Sequence, residues 1–192
     1  FRRDLFDALA GLSPAFVRFP GGNFLEGNSM ADHWDWKKTV GPAAARPGHY
    51  NSAWGYWTTD GLGLHEYLLL CEALNSTAQL SVFTGYCMGQ SYVNTSASAV
   101  FARAAVDALD YANGPATDGS YGAMRAAAGH AAPFGLDRLE VGNEERLLEG
   151  ADGYAAHYAL ITDAVWKAAP EATVIASGRW MWPANWSGVA GS

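Results

Sequence analysis

The sequence predicts an α/β fold of about four parallel strands with intervening helices, read as part of a (β/α)8 TIM barrel. Three observations lead there. Short apolar runs alternate with helical periodicities along the chain, the pattern of parallel βαβ units covered by helices. Each apolar run ends in glycine or polar residues: PGGN, TGY, GNEE and SGRW in turn. The carboxyl ends of barrel strands converge on one face, where such groups build a site. No Gly-x-Gly-x-x-Gly turn follows the first strand, and PGGNFLEG is not expected to lead straight into a helix as a phosphate loop would. A doubly wound, nucleotide-binding sheet is therefore the weaker reading.

The elements follow in order. Residues 2–12 carry Phe, Leu and Ala at helical spacing. AFVRF (15–19) reads as a strand and leads into a long loop rich in Gly and Trp. A helical pattern over 63–74 precedes the strand AQLSVFTGY (78–86), and a second helical run covers 97–111. DRLEVGNEE contains the third strand. ADGYAAHYALITDAVWKAA reads as an amphipathic helix with Asp152 as a candidate cap, and ATVIAS (172–177) as the fourth strand. The chain enters on a helix with no initiator Met or apolar leader and stops in WSGVAGS. It is expected to be a fragment of a single barrel domain, about half of it, so the missing leader carries no information about export.

Composition narrows the function classes. With 12 basic and 19 acidic residues the formal charge is −7, and no basic cluster interleaves with aromatics, so nucleic acid is not an expected partner. No apolar run approaches the roughly 20 residues of a membrane helix. The histidines at 33, 49, 65, 130 and 157 include no pair at helical ligand spacing, and Cys71 and Cys87 form no CxxC. Neither a metal nor a cofactor is expected. Cys71 lies in a helical pattern as a small hydrophobe, and whether it pairs with Cys87 is left open. No Gly-x-Ser-x-Gly elbow offers a serine nucleophile. The 8 Trp and 9 Tyr cluster in HWDW, YNSAWGYW and WMWPANW, as packing groups or as sugar platforms.

The carboxylates remain. In LEVGNEE an apolar run ends in an amide and two adjacent acids. A carboxyl group at a barrel strand's end, shielded by aromatics and near a second carboxylate, can hold its proton at neutral pH and serve as a glycosidase acid. A neighbouring amide can bind a sugar hydroxyl. Asn143 and Glu144 fit those roles. The alternative is that Asn143, Glu144 and Glu145 cap the next helix. Strict alternation also sends Asn143 and Glu144 to opposite faces, so presenting both inward requires a twist or bulge.

RFPGGNFLEG (18–27), WKKTVGPAAARPGHY (36–50) and WGYWTTDGLGLHEYLLLCEAL (54–74), followed by VGNEE, resemble glycoside hydrolase family 51, the α-L-arabinofuranosidases, in its eukaryotic-type branch. The resemblance implies a retaining, exo-acting enzyme that releases terminal arabinofuranose from arabinan, arabinoxylan or related plant polysaccharides. It implies Glu144 as general acid/base and Asn143 as the ligand of the arabinose 2-OH. It also implies that Gly22 and Asn23 contact the furanose from the loop after the second barrel strand, and that Trp54 lines the site. Glu145 differs from the residue often found there and receives no role. The nucleophile of the seventh strand, the first strand, strands 6–8 and a C-terminal β-sandwich would lie outside the chain. None of Glu26, Glu140 and Glu149 matches the nucleophile's position.

The isolated piece is expected to be inactive and poorly folded, with strand edges and an apolar interior exposed. Another retaining barrel glycosidase, or a catalytically inactive carbohydrate-binding relative, are the rival readings. NST at Asn75, NTS at Asn94 and NWS at Asn185 suit a secreted glycoprotein. Oligomeric state is not readable.

Overall fold

The computed structural model describes residues 1–88, 91–145 and 153–177. In chain order the elements are α1 (Arg3–Gly11), β1 (Phe16–Phe19), α2 (Gly22–Glu26), β2 (His49–Asn51), β3 (Tyr56–Thr58), α3 (Leu64–Leu74), β4 (Thr77–Val82), β5 (Tyr86–Cys87), β6 (Ser91–Tyr92), α4 (Ala99–Asn113), α5 (Tyr121–Ala127), β7 (Arg138–Val141), α6 (Tyr154–Ala168) and β8 (Thr173–Ala176). The strands β1, β4, β7 and β8 form one parallel sheet in that order. Each neighbour in the sheet is the next long strand in the chain, reached by a crossover through helix. This is the sequential progression of a (β/α)8 barrel, with four of its strands present.

The two faces of the sheet separate by residue parity. Val17, Phe19, Ala78, Leu80, Val82, Leu139, Val141, Val174 and Ala176 point to the helices, where they join Leu64, Tyr67, Leu68, Ala105, Leu109, Tyr158 and Ile161 in one core. Leu80 and Leu139 are side by side in the register and fully buried, each contributing roughly 2 kcal/mol through removal of apolar area from water. The opposite parity places Arg18, Gln79, Ser81, Glu140 and Ile175 on the barrel's interior face. The expected apolar interior is thus corrected: four of these five residues are polar, and they bond to one another. The inner layer of a barrel at its working end can carry polar groups provided each finds a partner.

Several boundaries depart from the sequence reading. A helix of one turn, α2, begins inside PGGN, where none was expected. The strand expected over 78–86 stops at Val82, because Gly85 turns the chain at φ +98 into the antiparallel pair β5–β6. The loop after α2 folds a hairpin, β2–β3. Helix α5 lies in an Ala-rich stretch with no clear amphipathic period. Its Arg125 is buried and donates to the carbonyls of Tyr111 (2.8 Å), Gly114 (2.9 Å), His130 (3.1 Å) and Ala131 (3.0 Å), which ties that loop together. Cys71 and Cys87 are both buried free thiols, and burial pushes each up to about 11. Asp152, Glu149, Asn185, the WMW stretch and residues 178–180 of SGRW lie outside the described residues.

Candidate active site

The site forms where β1 and β7 end. In the loop after β1, Gly21 and Gly22 both take left-handed backbone angles, φ +56 and +63, which glycine adopts without steric cost. A Cβ on Gly21 would lie 2.2 Å from Nη1 of Arg18, so the missing side chain lets the loop close over the guanidinium. The resulting turn aims the backbone N–H of Gly22 at the end of β7.

The end of β7 answers the alternation problem. The ladder continues one residue past Val141, with the N–H of Gly142 donating to the carbonyl of Val82 at 2.9 Å. Gly142 then turns at φ +77, and Glu144 takes φ +41, a region rarely occupied by side-chain-bearing residues and concentrated at functional sites. Asn143 is therefore buried under the PGGN loop, while Glu144 remains exposed on the same rim. Glu145 folds back underneath: it is buried and accepts a hydrogen bond from the hydroxyl of Thr84 at 2.5 Å. A Cβ on Gly142 would come within 2.0 Å of its Oε1. Glu145, assigned no role from sequence, is an anchor of this turn. Helix α6 starts only at Tyr154 with Gly153 at its N-cap, so Asn143, Glu144 and Glu145 do not cap it.

Beneath Asn143 lies a charged network. Arg18 pairs with Glu140 through Nε to Oε2 and through Nη2 to Oε1, the latter at 2.8 Å. Glu140 also accepts from Gln79 Nε2 (3.1 Å) and Ser81 Oγ (3.2 Å). The same Nη2 of Arg18 donates to Oδ1 of Asn143 at 2.8 Å, and the Gly22 N–H donates to that oxygen at 3.0 Å. Nδ2 of Asn143 donates to Glu26 Oε2 at 3.4 Å. Three neighbours therefore orient the amide, and a flipped amide would set Nδ2 against two donors.

Glu26 is only 3% exposed. Burial pushes its carboxyl up to about 7, the nearby Glu144 adds to the rise, and the Asn143 hydrogen bond and Arg18 oppose it. A carboxyl poised near neutrality beside an exposed carboxylate is the environment in which acid/base work is done.

Of the expected site residues, Gly22, Asn143 and Glu144 come together, and Asn23 joins them within α2, half-buried and with its side chain in no hydrogen bond among the described residues. Trp54 is 66% exposed on the turn between β2 and β3. That hairpin is pinned to the segment after α2, since Asn28 Nδ2 donates to the Ser52 carbonyl at 2.9 Å and Ser52 Oγ to Asp32 at 2.9 Å. The ring of Trp54 is thus largely exposed to solvent and does not pack in the core. Arg18, Glu140 and Glu26 were not identified from sequence as site residues. A signal existed for the first two, opposite charges inside the apolar runs AFVRF and LEV, since buried charges require partners.

Comparisons with known proteins give the family and the fold. The sequence family described as the alpha-L-arabinofuranosidase 1 domain matches residues 8–187. The chain is 40% identical over 177 residues to a probable alpha-L-arabinofuranosidase A of Aspergillus terreus, covering 90% of this chain and 28% of that protein. It is 37% identical to alpha-L-arabinofuranosidase 1 of Arabidopsis thaliana, covering 92% and 25%. Among solved structures, an arabinose-bound family 51 α-L-arabinofuranosidase superposes with a TM-score of 0.85 at 36% identity, over 93% of this chain and 28% of its own. The Thermotoga maritima enzyme in complex with arabinose, at 24% identity and TM-score 0.72, shares the fold over 92% of this chain and 33% of its own. The chain thus spans little more than a quarter of the curated relatives it matches. A profile that runs through almost all of it, from within α1 to beyond β8, leaves one assignment: the chain belongs to glycoside hydrolase family 51, the α-L-arabinofuranosidases.

Proposed function

We propose that the protein containing this chain is a retaining, exo-acting α-L-arabinofuranosidase, and that Glu144 is its general acid/base. The observation that carries this reading is the turn at Gly142 and Glu144, which leaves Glu144 exposed beside an Asn143 amide locked under the PGGN loop. In a retaining mechanism Glu144 donates a proton to the leaving glycosidic oxygen while a second carboxylate attacks the anomeric carbon. Glu144 then takes a proton from the water that releases the sugar. Asn143, whose oxygen is occupied by Arg18 and Gly22, offers an N–H to the sugar 2-OH. Gly22 and Asn23 bound the furanose on the adjacent side, and Trp54 forms an aromatic wall at the rim.

The substrate class, a terminal arabinofuranose on arabinan, arabinoxylan or a related oligosaccharide, is supported by the names of the relatives and the arabinose bound in the similar structure. The small share of those relatives that the chain covers supports a second reading. The 192 residues are part of one (β/α)8 catalytic domain, and the nucleophile, the first strand, strands 6–8 and a β-sandwich are supplied by other parts of the longer protein. The chain alone is then inactive. Secretion is proposed on the sequons, of which Asn75, at the C-cap of α3, and Asn94 are exposed.

The test is hydrolysis of an aryl α-L-arabinofuranoside by the full-length protein and its Glu144→Ala variant, with and without azide. An activated aryl leaving group needs little acid assistance, so the variant should form the glycosyl-enzyme, release it slowly, and recover turnover with azide. Wild-type rates in the variant would remove Glu144 from the mechanism.

A further inference from the structure

We propose that Glu26 is a positioning residue of the sugar site, whose buried carboxyl group holds the amide of Asn143 so that it presents N–H to the sugar; this rests on the furanosidase reading above. Glu26 ends α2, one helical turn from the Gly22 N–H, so a single short helix touches both ends of the Asn143 amide. The amide oxygen has both lone pairs engaged, by Arg18 and Gly22, leaving only its nitrogen to address a ligand. Glu26 takes one of the two hydrogens on that nitrogen and fixes the direction of the other. Asn143 is itself only 4% exposed, so Arg18, Gly22 and Glu26 together fix how this amide sits, and Glu26 alone holds its nitrogen end.

A buried carboxyl normally has a cation of its own. Here the facing groups are Arg18 from β1, already committed to Glu140, the thiol of Cys87 from β5, and Asn143 and Glu144 from the turn after β7. Among the described residues Glu26 has no cation of its own, and its hydrogen bond goes to the Asn143 amide. A residue that only filled space would not hold that amide, and an apolar side chain would fill the space better.

The experiment compares wild type, Glu26→Ala, Glu26→Gln and Glu26→Asp in the full-length protein, measuring kcat and KM separately on an aryl α-L-arabinofuranoside, with melting temperatures alongside. Glu26→Gln keeps an acceptor for Asn143 but cannot ionise. It should hold kcat/KM within about threefold, because the amide nitrogen keeps its acceptor. Glu26→Asp keeps the charge on a shorter arm. It should lose about tenfold in kcat/KM, as should Glu26→Ala, because the amide is no longer held. Wild-type kinetics in all variants would overturn the proposal. Equal losses in all three would also overturn it, by reducing Glu26 to a packing residue. Should Glu26→Ala fail to fold, the contrast between Gln and Asp decides alone. A wild-type protein that does not hydrolyse the furanoside sinks the furanosidase reading first, and this proposal with it.

Discussion

Glu140→Ala puts the interior network to its most direct test. The Glu140 carboxylate accepts two hydrogen bonds from Arg18 and one each from Gln79 and Ser81. Charge-assisted hydrogen bonds contribute about 1.5–3 kcal/mol each and neutral ones about 1, but they do not add when they share one acceptor. Breaking a buried ion pair by deleting one partner costs about 3–5 kcal/mol. The Arg18 side chain is 32% exposed, so part of its charge can be rehydrated once Glu140 is gone, which favours the lower end. The expected loss is about 3 kcal/mol, which in a full-length protein several times the length of this chain is a fall in Tm of about 2–4 °C. Glu140→Gln, which retains shape and two bonding atoms, should lose about half as much. The assay is thermal unfolding of the full-length protein followed by circular dichroism. Because Arg18 also holds Asn143, kcat/KM on an aryl arabinofuranoside should fall in the same order. A Glu140→Ala protein that melts within about 1 °C of wild type would refute the claim that this network organises the strand ends.

Two further outcomes are expected. Trp54→Ala should change stability by less than about 0.5 kcal/mol, since the ring is mostly exposed; if it is a subsite wall it should raise KM several-fold on an arabino-oligosaccharide but little on an aryl arabinofuranoside, and an unchanged KM on both removes it from the site. Stability should also carry a signature of Glu26, whose carboxyl is raised from 4.5 to about 7 in the fold. Between those values the folded state holds a proton that the unfolded chain has lost, so the contribution is complete below about pH 4.5 and declines as pH rises through about 7. It amounts to about 3 kcal/mol in all. Urea titrations of wild type and Glu26→Gln across that range should diverge accordingly; parallel curves would mean that Glu26 ionises normally.

The amino-acid sequence by itself determined the layer structure. Runs such as AFVRF, AQLSV and ATVIA carry enough apolar residues to read as strands, and helices of the right length separate them, so a parallel sheet covered by helices is the arrangement they point to. It also located the working end, because PGGN and GNEE fall where strands stop. Periodicity is a local property, and hairpins and single turns escape it. The structure therefore supplied α2, the β2–β3 and β5–β6 pairs and the Arg125-tied helix α5, which are held by loop hydrogen bonds and glycine geometry.

The tertiary structure alone decided how Asn143 and Glu144 share one rim. Alternation forbids it, and a left-handed turn at Gly142 and Glu144, anchored from below by Glu145 on Thr84, permits it. It also decided that Arg18 and Glu140, 122 residues apart, meet, and that Glu26 faces Asn143 across 117. Such pairings depend on strand register and on which loops close over which strand ends, and register is set by the whole sheet. A residue's neighbours along the chain carry no record of the partner that the fold will bring to it.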